Sequence, residues 1–141
     1  MAAPGFYVDG LDELLARFRA APRIIEEELE DAGDTILAQA ISRLAAEPSP
    51  PAGSRYVRTH RLSRGWRETD RRYVVVGNSR SIVLRNPTPY LGWVQVQATQ
   101  ATVHKGRWET IEEAQTAVAP FAEQKLAEAG ANTAARLAGG K

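Results

Sequence analysis

Cysteine and long apolar runs are both missing from this sequence, and each absence excludes a class of protein. Without cysteine there is no disulfide and no thiolate chemistry, and a zinc site would depend on the two histidines with carboxylates. No run of about 18 apolar residues occurs, and residues 1–10 lack the basic start and apolar stretch of a signal peptide. We therefore expect a cytosolic chain that is neither secreted by that route nor membrane-spanning.

Motifs for catalysis are missing as well. The sequence contains no phosphate-binding glycine loop, no paired-carboxylate signature and no nucleophile elbow. His60 and His104 lie far apart, and no motif joins either to a serine or aspartate arrangement for nucleophilic catalysis. We expect His60 to be a polar loop residue and His104 a strand-edge residue. The prediction is a protein without catalytic residues, cofactor or metal.

What the sequence does contain is a strong separation of charge. The formal charge is −6 over residues 1–50, +8 over residues 51–110 and −1 over residues 111–141, within a total of +1. The basic centre has an arginine at every third position from Arg55 to Arg67, followed by Arg71 and Arg72. A chain with this pattern can attract copies of itself, or a polyanion, through one face. The pattern favours an interaction protein over a catalyst.

Helical patterns occupy both ends of the chain, which we interpret as one domain over residues 1–141. Apolar residues recur at spacings of three, four and seven from Leu11 to Leu44. They predict a short helix at about 10–20 and a long one at about 22–46, with Pro22 as a break or kink. Thr110 and Glu113 match a capping box that opens a helix. Pro120 should interrupt that helix before an alanine-rich one that runs to a flexible C-terminal end.

The middle of the chain has the signals of loops and strands. A proline-rich stretch predicts an extended loop at about 47–64, and a strand is possible at about 64–70. The β-branched runs at 73–76 and 81–84 flank a turn and predict a β-hairpin. Residues 90–96 are amphipathic and short, either helical or irregular. The expected class is α+β, with a small antiparallel sheet flanked by the long N-terminal helix and the C-terminal helices.

The arginine block has three interpretations. Its members are Arg55, Arg58, Arg61, Arg64 and Arg67. They could form a solvated loop, a strip that contacts nucleic-acid phosphates, or an assembly surface for acidic helices of another copy. A period of three gives no flat stripe in a strand or in a helix, which weakens sequence-specific DNA reading. The acidic residues of the N-terminal helix, among them Glu27, Glu30 and Asp34, are either a solvated face or a docking surface for a basic partner.

Three aromatic residues surround a polar stretch rich in glutamine and threonine at 95–102. Tyr90, Trp93 and Trp108 could pack at the sheet edge or serve as anchors for a partner, because tryptophan and tyrosine are frequent in binding hot spots. The polar stretch is interpreted as a candidate extended arm that orders against another subunit.

The order of these features resembles a known family. It is carried by residues 10–14 before a long amphipathic helix, residues 59–63 after a proline-containing loop, the valine-rich hairpin, residues 89–95, and Pro120 with Phe121 at the C-terminal helix. In this order the chain is similar to tail-component or head–tail joining (tail-completion) proteins of tailed bacteriophages, over most of its length.

The resemblance implies a structural virion protein without catalytic residues. Such a protein forms a ring, commonly six-fold, between the portal assembly and the tail tube. The implied partners are copies of itself, neighbouring connector or neck proteins and the tail-tube protein. DNA would pass through the ring without recognition of its sequence. It would be assembled in the bacterial cytoplasm and reside in the virion neck. The alternative from the residues alone is a nucleic-acid-binding protein that uses the arginine-rich segment 55–72.

Overall fold

Two long helices form the body of the protein, with shorter elements at one end. The computed structural model describes residues 11–55, 57–68, 72–76 and 79–139, and only the backbone of residues 11–15, 72–76 and 79–82. The elements in chain order are α1 (Leu11–Leu44), α2 (Arg61–Arg67), β1 (Arg72–Val76), β2 (Ser79–Val83), α3 (Leu91–Gln95), a 3₁₀ turn (Thr102–His104) and α4 (Ile111–Leu137).

Each long helix is continuous where the sequence predicted two helices. Pro22 lies inside α1 and Pro120 inside α4, and both are exposed. A proline removes one backbone donor and crowds the preceding turn, but the packing of α1 on α4 holds the turns on either side in place. The capping box is confirmed, since the Thr110 hydroxyl accepts from the Glu113 amide at 3.1 Å and the Glu113 carboxylate accepts from the Thr110 amide at 2.8 Å. In the described part of the chain, no helix combines the length and apolarity needed to cross a membrane.

The two long helices pack antiparallel. Arg43, near the end of α1, pairs with Glu109, just before α4. At the other end of the contact, Arg136 pairs with Glu27 and Glu28 of α1. Small and branched side chains close the space between the helices and the shorter elements. The buried apolar residues are Ile24, Ala32, Leu37, Leu44, Ala45, Leu62, Trp66, Val94, Ala114, Val118 and Ala129.

The predicted α+β class is wrong, because the packed body that the structure describes is helical and contains no sheet layer. The backbones of β1 and β2 run antiparallel and pair only with each other. Neither strand makes an extensive contact with a helix. Two strands without a third have little stability of their own in water, so the valine-rich runs do not define the architecture. The turn at residues 77–78 lies outside the described residues.

Helix α2 occupies positions that were predicted to be loop and strand. The extended loop was expected to reach about residue 64 and a strand to follow at about 64–70, but residues 61–67 are helical. Leu62, Ser63 and Trp66 are spaced at helical intervals and all three are buried. Their burial against the end of α1 stabilises a helix that the arginine-rich sequence does not suggest.

Candidate functional site

A fully buried glutamine organises the end of α1. Gln95 has no exposed surface, and its amide group donates to the Leu44 carbonyl at 2.9 Å. Its side-chain oxygen accepts from the Trp66 indole N–H at 2.7 Å. The Ser63 hydroxyl donates to the Ala45 carbonyl at 2.8 Å. Carbonyls at a helix C-terminus have no partner within the helix, so these bonds join α1, α2 and α3 into one unit, which we call the junction.

Asn86 fixes the other side of α2. Its side chain donates to the Leu62 carbonyl at 2.9 Å and accepts from the Thr88 amide at 3.0 Å. Gly65 lies against it, and a Cβ atom at Gly65 would come within 2.3 Å of the Asn86 side-chain oxygen. The close approach holds α2 in one position relative to the chain that leads to α3.

An open groove of about 470 Å³ lies beside the junction. Three of its lining residues, Tyr90, Trp93 and Val103, are large hydrophobic residues that remain exposed. The exposed fraction is 69% for Trp93 and 64% for Val103. Contiguous exposed apolar surface of this kind is typical of interaction sites. The full lining is Glu47, Pro51, Ser54, Arg58, Thr59, His60, Arg61, Leu62, Tyr90, Trp93, Val94, Val103, His104, Arg107 and Trp108.

Several charged side chains on the groove wall interact with one another. The guanidinium of Arg58 lies 5.5 Å from the centre of the Trp108 ring and 4.0 Å from a carboxylate oxygen of Glu47. The same carboxylate oxygen lies 2.6 Å from Nδ1 of His60. Glu47 and Arg58 both have only 16% of their side-chain surface exposed. Arg58 therefore forms part of the wall. Arg61 and Arg107 also line the groove and are exposed, and Arg107 donates to the Ser49 carbonyl at 2.6 Å.

The glutamine- and threonine-rich stretch connects α3 to the groove residues Val103 and His104. The Gln100 amide group donates to the Val94 carbonyl at 2.7 Å and the Trp108 carbonyl at 3.1 Å. The Thr99 hydroxyl donates to the Gly92 carbonyl at 2.6 Å. The interpretation of this stretch as an arm that orders against another subunit is therefore wrong, because its own side chains fold it back onto α3. His104 lies in the 3₁₀ turn rather than at a strand edge.

Three arginines share the exposed side of α2. Arg61, Arg64 and Arg67 fall within an arc of about 120°, since each step of three residues shifts by about 60°. All three are exposed, opposite the buried Leu62 and Trp66. Three of the arginines therefore share a side of this short helix, but the five from Arg55 to Arg67 form no single stripe, because Arg55 and Arg58 lie outside α2 and Arg58 is on the groove wall. We call this exposed side of α2 the basic face.

A complementary acidic face lies on α1. Five acids fall within an arc of about 140° on that helix: Glu26, Glu27, Glu30, Asp31 and Asp34. All are exposed except Glu27, which is half-buried. The hydrogen bond from Arg136, at 2.6 Å, lowers the pKa of Glu27 below its usual value and raises that of Arg136. The centre of the acidic face lies about 20 Å along α1 from the end of that helix, and the basic face lies on α2, which follows that end.

The predicted interface residues thus divide into three places. Arg58, Arg61, Tyr90, Trp93 and Trp108 meet at the groove. Arg64 and Arg67 continue the basic face, and Arg55 lies exposed in the loop before it. Glu27, Glu30 and Asp34 lie together on the acidic face.

The sequence reasoning missed several residues that build the groove and the junction. Glu47, Val103 and Arg107 were not singled out, and Gln95 was noted only within the polar stretch and at the end of the 89–95 motif. A glutamine between two valines at 94–96 was the available signal, because a polar residue at an inward position of an apolar segment must find buried partners. In the described part of the chain, no group of three or more histidine, aspartate or glutamate side chains is placed to hold a metal ion.

Comparisons of the chain with protein-family models, with curated proteins and with solved structures found no match. Function is therefore inferred from the residues and their placement.

Proposed function

We propose that this protein is a structural subunit of a tailed bacteriophage that assembles into a ring at the head–tail interface. In this role it is a tail-completion or tail-terminator protein between the connector and the tail tube. Its partners are further copies of itself, neighbouring neck proteins and the tail-tube protein, and DNA passes through the ring without being read. It is a non-enzymatic protein assembled in the bacterial cytoplasm and carried in the neck of the virion.

The observation that supports the proposal best is the separation of the basic face from the acidic face. A ring built from one kind of subunit needs two different, complementary surfaces on each copy, because every contact joins one surface to the other. The basic face at the junction and the acidic face on α1 have opposite charge and lie on different helices. Such a pair favours head-to-tail contacts over pairing of identical surfaces.

The structure changes which residues we assign to this contact. Arg55, Arg58, Arg61 and Arg64 were expected to meet Glu27, Glu30 or Asp34 of a neighbour. Arg58 lies against Glu47 and Trp108 of its own chain, and Glu27 pairs with Arg136. We therefore assign the contact mainly to the exposed Arg61, Arg64 and Arg67 on one subunit and to Glu30 with its exposed neighbours on the other.

A charge-swap experiment tests this assignment. One variant carries Arg61→Glu and Arg64→Glu, and the other carries Glu30→Lys and Asp31→Lys. Each variant alone presents two surfaces of the same sign and should stay monomeric. Mixed together they restore opposite charges at every contact, so they should form rings in which the two variants alternate and the number of copies is even.

The matched control changes the same amount of charge elsewhere. Arg19→Glu with Lys105→Glu alters two exposed residues outside both faces and should assemble as the wild type does. Failure of the mixed variants to assemble, or normal assembly of either variant alone, would contradict the assignment.

Binding of nucleic acid is the second candidate, and the same basic face favours it. Three guanidinium groups on one side of a helix can also contact successive phosphates. The single-variant samples separate the two functions. A nucleic-acid-binding protein would lose affinity for DNA with Arg61→Glu and Arg64→Glu and would not regain it on mixing with the acid-to-lysine variant, whereas a ring subunit regains assembly.

A further inference from the structure

The groove exposes three large hydrophobic side chains to solvent. Tyr90, Trp93 and Val103 account for three of the seven large hydrophobic side chains that are exposed in the described part of the chain. All three line one groove. The side chains of Arg61 and Arg107 lie beside them and carry positive charge. This combination fits an extended segment with aromatic side chains and a carboxylate, because the rings fill the groove and the carboxylate meets an arginine.

The chain itself contains a segment of this chemistry. Phe6, Tyr7, Val8 and Asp9 stand directly before α1, with no basic residue among residues 1–10. Their placement lies outside the described residues. Two aromatic side chains, one β-branched side chain and one carboxylate match the apolar surface and the cationic edge of the groove. From here on, the arm means residues 6–9 and not the glutamine- and threonine-rich stretch at 95–102.

The arm cannot reach the groove of its own chain. Helix α1 contains 34 residues and is therefore about 51 Å long. The groove lies at its far end, beside Glu47 and next to the Gln95–Leu44 hydrogen bond. Phe6 and Leu11 are five Cα-to-Cα steps apart in the chain and can be at most about 18 Å apart. The distance exceeds that reach more than twofold, so an arm that occupies such a groove must come from another copy.

We infer that the arm of one subunit docks in the groove of the next, with Phe6 and Tyr7 against Trp93 and Val103, and Asp9 near Arg107. The contact is head-to-tail, because the arm precedes the first residue of α1 in the sequence and the groove lies beside the last. This inference rests on the proposed self-assembly and adds a second contact to the one between the charged faces. A tethered segment that docks on a neighbour strengthens assembly through a high effective concentration.

Disulfide trapping tests the inference directly, because the chain has no cysteine of its own. One full-length variant carries Phe6→Cys and a second carries Val103→Cys, an exposed position in the 3₁₀ turn. The two are mixed, oxidised and analysed by mass spectrometry for the mixed disulfide. We expect at least about tenfold more mixed disulfide than with Ala119→Cys, an exposed position on α4, in place of Val103→Cys.

A second change tests whether the mixed disulfide depends on the groove. Trp93→Ala in the Val103→Cys subunit removes the main groove surface and should lower the yield of mixed disulfide about tenfold. Phe18→Ala is the matched control, since Phe18 is 65% exposed on α1 and lies outside the groove. It should leave the yield unchanged. Equal yields for Trp93→Ala and Phe18→Ala would overturn the inference.

The mass of the same samples distinguishes failure of this inference from failure of the proposed function. Rings without the mixed disulfide would overturn the arm contact and leave the proposed ring intact. The mixed disulfide with only open dimers or filaments would support the arm contact and contradict the closed ring. Neither rings nor the disulfide would overturn both.

Discussion

Two tryptophans at the same end of the molecule, Trp66 on α2 and Trp93 on α3, have very different surroundings. Trp66 is 3% exposed, and its indole N–H donates to the buried Gln95. Trp93 belongs to the same packed end of the molecule, yet 69% of it faces solvent. The difference lies in what surrounds each ring. Trp66 has helices on several sides and a hydrogen-bond partner, whereas Trp93 stands at the edge of an open groove.

The same contrast separates the junction from the groove. At the junction, carbonyls at the end of α1 accept hydrogen bonds from Gln95 and Ser63, and no buried side-chain polar atom in the described part of the chain lacks a partner. In the groove, aromatic surface remains uncovered while charged groups such as Arg58 are held by neighbours. We therefore expect changes at the junction to affect stability and changes in the groove to affect association.

The largest loss of stability is expected for Gln95→Leu. Leucine has a similar size but leaves the Trp66 N–H and the Leu44 carbonyl buried without partners, at a total cost of about 3 kcal/mol in the free energy of unfolding. Urea denaturation followed by circular dichroism measures it. The control is Gln97→Ala, an exposed position two residues away, which should change the free energy by less than about 0.5 kcal/mol. Equal effects at the two positions would contradict the assigned role of Gln95.

Two glycine substitutions test whether Asn86 fixes the position of α2. Gly65→Ala places a methyl group against Asn86, whose side chain is fixed by two hydrogen bonds, and should cost about 1–3 kcal/mol. Gly130→Ala, on α4, meets open space and should stabilise the protein by about 0.5–1 kcal/mol. Denaturant midpoints for the two variants should move in opposite directions. If both midpoints rise, the Asn86 side chain can move aside at little cost in free energy, which would contradict its role in fixing α2.

Trp93→Ala should leave folding nearly unchanged. Because the ring is largely exposed, its removal should change the free energy of unfolding by no more than about 0.5 kcal/mol. Self-association, measured by sedimentation at several concentrations, should weaken strongly in the same variant. Large destabilisation with normal association would reverse the roles that we give to the junction and the groove.

The smallest effect is expected from the ion pair between α1 and α4. Because Arg136 lowers the pKa of Glu27 in the folded protein, the carboxylate contributes stability above its unfolded pKa and loses that contribution as the pH falls through the folded value. The difference in stability between the wild type and Arg136→Gln should therefore be greatest near pH 7 and shrink below about pH 4.5. A difference that stays constant down to pH 3 would mean that this pair has no part in the pH dependence.

The sequence contained enough information for helical structure at both ends of the chain and for the Thr110 cap, but not for the continuity of the long helices through Pro22 and Pro120 or for the junction. The apolar spacing from Leu11 to Leu44 and the Thr110 capping box are local signals, and both lie where the pattern placed them. Helix α2 depends on contacts between Trp66, Gln95 and Leu44, which are far apart in the chain. No local pattern reports such contacts, so the arginine spacing and the valine runs were given too much weight.

The candidate site was partly predictable for the same reason. Trp93, Tyr90 and Trp108 could be singled out by residue type, since exposed aromatics and arginines are frequent in interfaces. Their meeting with Arg58 and Arg61 in one groove depends on the fold of residues 96–108 onto α3. The pairing of His60 and Arg58 with Glu47 likewise joins residues whose separation gives no signal in the sequence.

The mass of the purified full-length protein in solution tests the central claim most directly. Light scattering at low and moderate salt, with electron micrographs of the same samples, would report both the number of copies and their arrangement. The account predicts closed rings of about six copies, built by head-to-tail contacts. A protein that remains monomeric at every concentration and binds DNA tightly would contradict it and favour the nucleic-acid-binding function.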